Sequence, residues 1–208
     1  MLIDFLKTAL ITLLVTVEPP GLAPVFISLT VGLGAGAQRE VAARAAVIAF
    51  LVLAAFAIGG RAAMDVLGVS IPAFRIAGGL LLFAIAFDML FVLRAERKRE
   101  LASDAMRIDH IRNVAAFPLA IPLIAGPGAI TVTMLLAGRA SGDWAMLLGL
   151  MAVIALVMAI TFVSLLMSER ISRLLGVTGN SVMTRMFGLI LAAMAVQFVI
   201  DGVAAIAK

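Results

Sequence analysis

Two apolar stretches of the chain are each interrupted by a Pro-Gly pair, and these interruptions have the chemistry to bind a charged ligand. Pro20-Gly21 follows Glu18 closely, and Pro127-Gly128 lies 107 residues further along the chain. Proline removes an amide donor and opposes a continuous helix, while glycine allows backbone conformations that other residues avoid. A helix that restarts after such a break presents unpaired amides and a positive dipole end, which attract anions. The pattern therefore predicts anion-binding backbone with a carboxylate beside it.

The predicted ligand of these breaks is a small charged or zwitterionic solute. For a zwitterion, both charged ends would be bound. Amides after each proline would hold its carboxylate, and Glu18 would hold its ammonium group, since Ala125 at the corresponding place in the second break is neutral. The predicted substrate-binding residues are Glu18, Pro20, Gly21, Leu22, Gly126, Pro127, Gly128, Ala129 and Thr131. Proline kinks and close helix packing are the structural alternative for the breaks, and back-bonding to its own helix is the alternative for Thr131.

Composition places the chain in a membrane. Hydrophobic residues make up 64% and charged residues 13% of the chain, and the mean hydropathy is +1.21. A span of about 20 apolar residues crosses the hydrocarbon core of a bilayer. Six segments meet this requirement, at about 5–30, 43–64, 71–93, 114–137, 144–167 and 184–204. The predicted fold is an all-α polytopic membrane protein with six transmembrane helices, in which spans one and four are broken at the Pro-Gly motifs.

A second motif that occurs in both halves of the chain indicates an internal duplication. The sequence Arg75-Ile-Ala-Gly78 recurs as Arg185-Met-Phe-Gly188, an offset of 110 residues that resembles the offset of the two Pro-Gly pairs. Because each half holds three spans, the halves enter the membrane in opposite senses. We therefore predict a 3+3 inverted repeat within a single transmembrane domain, 1–208. Repeat one covers about 1–93, a cytoplasmic connector about 94–112, and repeat two about 113–208.

The distribution of basic residues predicts the orientation. The connectors after spans one, three and five carry Arg39, Arg44, Arg94, Arg97, Lys98, Arg99, Arg107, Arg112, Arg170, Arg173 and Arg185. The other side carries only Lys7, Arg61, Arg75, Arg139 and Lys208. The positive-inside rule places the first group in the cytoplasm, so the protein is predicted to lie in the cell (inner) membrane with both termini outside.

Four polar residues within the spans are candidates for ion coupling or gating. Asp88 is an intramembrane carboxylate, which is a functional candidate by default, although an ion pair with Arg94 is the alternative. Gln197 falls near the equivalent point of span six. Arg75 and Arg185 each lie near the start of a span, where interface anchoring and a pair of symmetry-related gates are both open interpretations.

Several function classes are excluded or unsupported. The basic residues lie at membrane edges as topology requires, so no nucleic-acid partner is predicted despite a pI near 10.6. The chain contains no cysteine, a single histidine and neither a zinc-protease nor a serine-hydrolase motif, so no enzyme activity, metal site or cofactor is predicted.

Four segments carry a family resemblance over nearly the whole chain. They are Glu18–Phe26 with Ser28-Leu29-Thr30, Phe74–Phe83, Phe117–Gly128 and Arg185–Leu191. These segments resemble the MarC-type family of integral membrane proteins, whose SnatA-type members transport small neutral amino acids such as glycine and alanine. Aspartate is the usual first-span acid in this family, whereas Glu18 stands here.

The residues and the resemblance together predict a secondary transporter of small neutral amino acids that works by alternating access. Its predicted partners are a small amino acid substrate and the lipid bilayer, and the sequence does not fix an oligomeric state. With no ATP-binding motif, the driving force would be an ion gradient or the solute's own gradient, and among ions H+ is favoured over Na+. An exporter of other amino acids or amphiphilic solutes is the alternative, as is a passive channel or membrane scaffold.

Overall fold

The chain forms a bundle of helices. The computed structural model describes residues 2–91, 114–140 and 142–206, and no β-strand occurs in these ranges. The elements in chain order are α1 (Leu2–Val17), a 3-10 turn (Pro19–Leu22), α2 (Ala23–Leu29), α3 (Ala35–Val66), α4 (Ile71–Leu90), a π-helical segment (Ala115–Ile124), α5 (Pro127–Arg139), α6 (Trp144–Leu166) and α7 (Ser168–Ile206). The predicted all-α class is therefore confirmed.

The number of membrane-spanning stretches agrees with the apolar pattern. Five stretches are long and apolar enough to cross a membrane, the first running from Leu2 to Leu29. The count becomes six if the π-helical segment and α5, which meet at an angle of 58°, are taken as one span.

The last helix differs from its prediction. We predicted a span over 184–204 after a polar connector, whereas α7 begins at Ser168 and includes that connector. A helix of 39 residues is about 58 Å long, which exceeds the thickness of the hydrocarbon core. Gly176 interrupts it with φ 56° and ψ −170°, a conformation open to glycine, so 168–175 forms a separate helical piece before the span.

Local chemistry sets the helix ends near the site. The Ser70 hydroxyl accepts the amide of Ala73 at the start of α4, and the Asp143 carboxylate accepts the amides of Ala145 and Met146 at the start of α6. Such side-chain caps satisfy amides that have no partner inside the helix.

Prolines shape the segment that precedes α5. Pro118 and Pro122 lie four residues apart, and the residues before them, Phe117 and Ile121, adopt extended backbone at φ −134° and −128°. Proline sterically disfavours the helical conformation in the preceding residue. Ala115–Ile124 consequently does not form a regular α-helix.

Small residues allow the closest helix pair, α4 and α7, to pack along much of their length. A Cβ atom on Gly79 would lie 2.7 Å from the carbonyl oxygen of Ala195, and one on Gly202 would lie 3.0 Å from the carbonyl oxygen of Pro72. In a bilayer, where helices gain little from hydrophobic burial against one another, such close backbone contact is a main source of association.

The α4–α7 contact gives a direct stability prediction. Gly79→Val should lower the melting temperature and the monodisperse yield of the purified protein, because overpacking a tight contact costs about 1–3 kcal/mol. Gly59→Val is the matched control, since it adds the same side chain to a helix at a glycine with nothing within 4 Å. Equal melting temperatures for the two variants, measured by thermal unfolding in detergent, would contradict this packing.

Candidate functional site

The end of α1 is defined by Glu18 and the two prolines that follow it. The Glu18 amide closes the last turn by donating to the carbonyl oxygen of Leu14 at 2.9 Å. Glu18 itself has φ 53° and ψ 63°, and it is the one non-glycine residue with positive φ among the described residues. Pro19 opposes right-handed helical backbone at Glu18, and the left-handed conformation costs about 1–2 kcal/mol for an L-residue. Such strain concentrates at functional sites.

The Glu18 side chain is enclosed by protein. Only 2% of the residue is exposed, and its carboxylate accepts a hydrogen bond from the Thr184 hydroxyl of α7. The carboxyl group also folds over Gly21, where an added Cβ would lie 2.6 Å from Glu18 Cδ. Gly21 is therefore required for the close approach of the carboxylate to the backbone.

The 3-10 turn uses some of the amides that we predicted as anion donors. Gly21 donates its amide to the Glu18 carbonyl oxygen at 3.0 Å, and Ala23 donates to the carbonyl oxygen of Pro20. Leu22 is fully buried within this turn. In the conformation seen here, the Gly21 amide is thus occupied by the chain itself.

The start of α5 leaves its first amides without intrahelical acceptors. Gly126 is extended at φ −80° and ψ 175°, and Pro127 begins the helix. The first backbone bond into α5 runs from the Ile130 amide to the carbonyl oxygen of Gly126 at 3.0 Å. The amides of Gly128 and Ala129 precede that bond, and amides at such positions have no partner inside the helix.

The second Pro-Gly motif packs against the last turn of α1. A Cβ atom on Gly128 would lie 3.1 Å from Cγ2 of Thr16, which precedes Glu18 by two residues on α1. The start of α5 therefore packs against the last turn of α1, two residues before the chain reaches Glu18.

Two threonines of α5 differ in their surroundings. The methyl group of Thr131 faces α4, where it would lie 2.9 Å from a Cβ on Gly78. Thr133 is fully buried, and its hydroxyl has no hydrogen-bond partner in the described part of the chain. It does not back-bond to its own helix as Thr12 and Thr16 do.

Two of the predicted coupling or gating residues, Asp88 and Arg185, lie on the paired helices α4 and α7. Asp88 is half-buried near the end of α4, and its predicted partner Arg94 lies outside the described residues. Arg185 is exposed on α7, although it directly follows the buried Thr184.

The other two belong to a cluster that the sequence did not reveal. Arg75 of α4, Arg139 of α5, and Gln197 and Asp201 of α7 form what we call the arginine–aspartate cluster. Arg139 forms an ion pair with Asp201, and the Gln197 amide donates to Asp201 Oδ1 at 2.7 Å. Gln197 and Asp201 are four residues apart in an apolar helix, a spacing that could have indicated the pair. Arg139 is 62 residues from Asp201, and no local pattern links them.

Comparisons with known proteins point to one family over nearly the whole chain. A family model described as "MarC family integral membrane protein" matches residues 3–207. An Archaeoglobus fulgidus protein named "UPF0056 membrane protein" is 39% identical over 203 residues, which cover 97% of this chain and 93% of its own length. YvbG, a UPF0056 membrane protein of Bacillus subtilis, is 35% identical over 96% of this chain and 94% of its own length. No solved structure matches the chain. The chain therefore belongs to the MarC family of integral membrane proteins.

Proposed function

We propose that this protein is a secondary transporter of small neutral amino acids that works by alternating access between two inverted halves. The observation that carries the proposal is the buried carboxylate of Glu18 at the end of α1, the helix whose last turn packs against the start of α5. A carboxylate and helix-start amides that lack acceptors inside their helix are complementary to the two charged ends of an α-amino acid.

The chemistry of the site favours a zwitterion over a simple ion. Glu18 would accept hydrogen bonds from the substrate ammonium, in place of or alongside the one it accepts from Thr184. The amides of Gly128 and Ala129 would donate to the substrate carboxylate. Other atoms of the protein lie within 3 Å of the place where a Cβ atom would stand on Gly21, Gly126 or Gly128. The two breaks therefore leave little volume for a substrate side chain.

The unpaired hydroxyl of Thr133 supports a polar ligand near these amides. Thr133 lies one helical turn after Ala129 and therefore on the same face of α5. A buried hydroxyl without a partner costs about 1–3 kcal/mol, so such groups are rare unless another state or a ligand satisfies them. A bound amino acid would supply the missing acceptor.

The pattern of helix contacts supports the inverted repeat. If α1 through α2 corresponds to the π-helical segment with α5, then α3 corresponds to α6 and α4 to α7. When the two halves are exchanged, each contact in one half should have a counterpart in the other. The packing of α3 on the π-helical segment has its counterpart in the packing of α6 on α1. The packing of α4 on α5 has its counterpart in the packing of α7 on α2. The pairs α3–α6 and α4–α7 map onto themselves. An odd number of spans in each half would make the repeats antiparallel, which suits alternating access.

Two other functions follow from the same fold. An exporter of other amino acids or amphiphilic solutes would use the same breaks with a different side-chain fit. A passive channel or scaffold would need no substrate site, and the buried Glu18 with its strained backbone favours the transporter over both.

The role of Glu18 can be tested by ligand binding. Glu18→Gln should weaken glycine binding to the purified protein by more than about tenfold, equivalent to about 1.4 kcal/mol, because the neutral amide no longer attracts the ammonium group. Glu18→Asp, which restores the residue usual in the family, should retain binding. Isothermal titration or scintillation proximity on monodisperse samples would measure both.

Glu169→Gln is the matched control, since it removes one carboxylate from a side chain that is 71% exposed. Binding by this variant should equal that of the wild type. If Glu18→Gln also binds glycine with wild-type affinity, the end of α1 is not the substrate site.

Proton coupling is the second part of the proposal, with Asp88 as the carrier. An imposed pH gradient should drive glycine uptake into proteoliposomes, and Asp88→Asn should weaken the response, because an amide cannot carry the proton. Glu40→Gln removes an exposed carboxylate near the start of α3 and should leave the response unchanged. Uptake that ignores pH but requires sodium would contradict this part of the proposal.

The proposed location is the inner membrane, with the termini outside. The natural chain lacks cysteine, so single cysteines report sidedness directly. In intact cells, Asp65→Cys should react with an impermeant maleimide, whereas Arg173→Cys should react only after permeabilisation. Both side chains are well exposed, at 68% and 84%, so protection would reflect the membrane rather than burial. The opposite labelling pattern would reverse the orientation.

A further inference from the structure

The arginine–aspartate cluster joins two helices that otherwise make little contact. The backbones of α5 and α7 are separated by α4, which packs along both of them. The side chain of Thr131 of α5 packs against Gly78 of α4, while the backbone of α7 packs against Gly79. The contact between α5 and α7 near Arg139 is therefore made by side chains across the start of α4.

Two interactions of Arg139 form this contact, and a hydrogen bond within α7 supports it. Arg139 pairs with one oxygen of Asp201, and Gln197 donates to the other, so the carboxylate is fixed in orientation. The Arg139 guanidinium also lies over the Phe198 ring, 4.9 Å from its centroid, and Phe198 is buried. The Arg139 and Asp201 side chains are 28% and 32% exposed, so the pair is mostly covered by protein.

The cluster holds more positive than negative charge. Arg75 packs against α7 next to Asp201, since a Cβ atom on Gly202 would lie 3.2 Å from Arg75 Cβ, and its charge opposes that of Arg139. Arg75 makes no ion pair with any described residue, and its Nε is buried without a hydrogen-bond partner. The cluster thus holds two guanidinium groups and one carboxylate, which is paired with Arg139, and Arg75 keeps the capacity to bind a second carboxylate.

The equivalent positions of the first half carry different chemistry. The repeat offset of 110 relates Gln197 and Asp201 to Phe87 and Phe91 of the first half. Those two rings pack with their centroids 4.4 Å apart. An ionic contact at one end of the bundle and an aromatic contact at the other would let the two ends respond differently to a charged solute.

We propose that Arg139 and Asp201 form an ionic gate, and that Arg75 with Arg139 is a carboxylate-receiving site that opens it. In this scheme Asp201 occupies the Arg139 guanidinium while the gate is closed. The carboxylate of an arriving amino acid binds Arg75, competes for Arg139 and releases α7 from α5. The identity of the ligand as an amino acid rests on the proposed function.

A buried cysteine beneath the gate would report its opening. Leu135 is 1% exposed and lies one turn before Arg139 on the same face of α5. In the Leu135→Cys protein, adding Asp201→Asn should raise the rate of maleimide modification by about tenfold, since the neutral amide no longer holds Arg139. Asp65→Asn, which removes a carboxylate from the exposed pair with Arg61, is the control and should have no effect. Thr131→Cys provides a second reporter if Leu135→Cys does not yield folded protein. Equal rates with and without Asp201→Asn would overturn the gate.

The ligand class is tested with the same reporter. Glycine should accelerate modification by about threefold in the protein with an intact gate, as expected for a ligand that prefers the open state. Ethanolamine, which keeps the ammonium group but lacks the carboxylate, should not. Arg75→Gln should remove the effect of glycine. Equal effects of the two compounds would overturn the carboxylate-receiving role.

A Glu18→Gln background separates this proposal from the proposed function. If the carboxylate acts at Arg75 and Arg139, glycine should still accelerate modification when Glu18 is neutral. Loss of the acceleration in that background would place the trigger at Glu18 and overturn the receiving site. The effect of Asp201→Asn requires no substrate, so the gate is tested even if glycine is not transported.

Discussion

A carboxylate buried at a proline-enforced helix end is the constraint on which the rest of the structure depends. Lipid cannot satisfy the polar backbone that a broken helix leaves, so protein must enclose the break. The described structure encloses it with α5, α6 and α7, and Glu18 bonds to Thr184 across that enclosure. The strained backbone at Glu18 persists because these surroundings hold it in place.

Close packing through glycine follows from this constraint. The bundle must surround a polar centre while lipid supplies little hydrophobic drive for helix association. Gly79 and Gly202 let α4 and α7 approach at backbone distance, and Gly128 lets α5 reach Thr16. The same residues that bring the helices together thus place the start of α5 against the last turn of α1, two residues before Glu18.

Local patterns in the sequence were sufficient to predict the class of fold and the end of the first helix at Glu18. Apolar windows define the helices, and Pro19-Pro20 after an isolated acid identifies the end of α1. The early start of α7 was missed because 168–183 is polar and resembles a connector, although its backbone is helical. The Arg139–Asp201 pair was missed because residues on different helices meet only through tertiary packing. The hydrogen bond from Gly21 to Glu18 was missed for a different reason, since a 3-10 turn satisfies amides that an abrupt break would leave free.

The central claim is that the chain carries an amino acid across the membrane through a site that opens to one side at a time. Counterflow in proteoliposomes tests this claim most directly. Vesicles preloaded with unlabelled glycine should accumulate labelled glycine transiently above equilibrium, with saturable dependence on its concentration, because a carrier exchanges its ligand at a single site. Uptake that rises linearly with concentration and shows no transient accumulation would contradict the carrier mechanism.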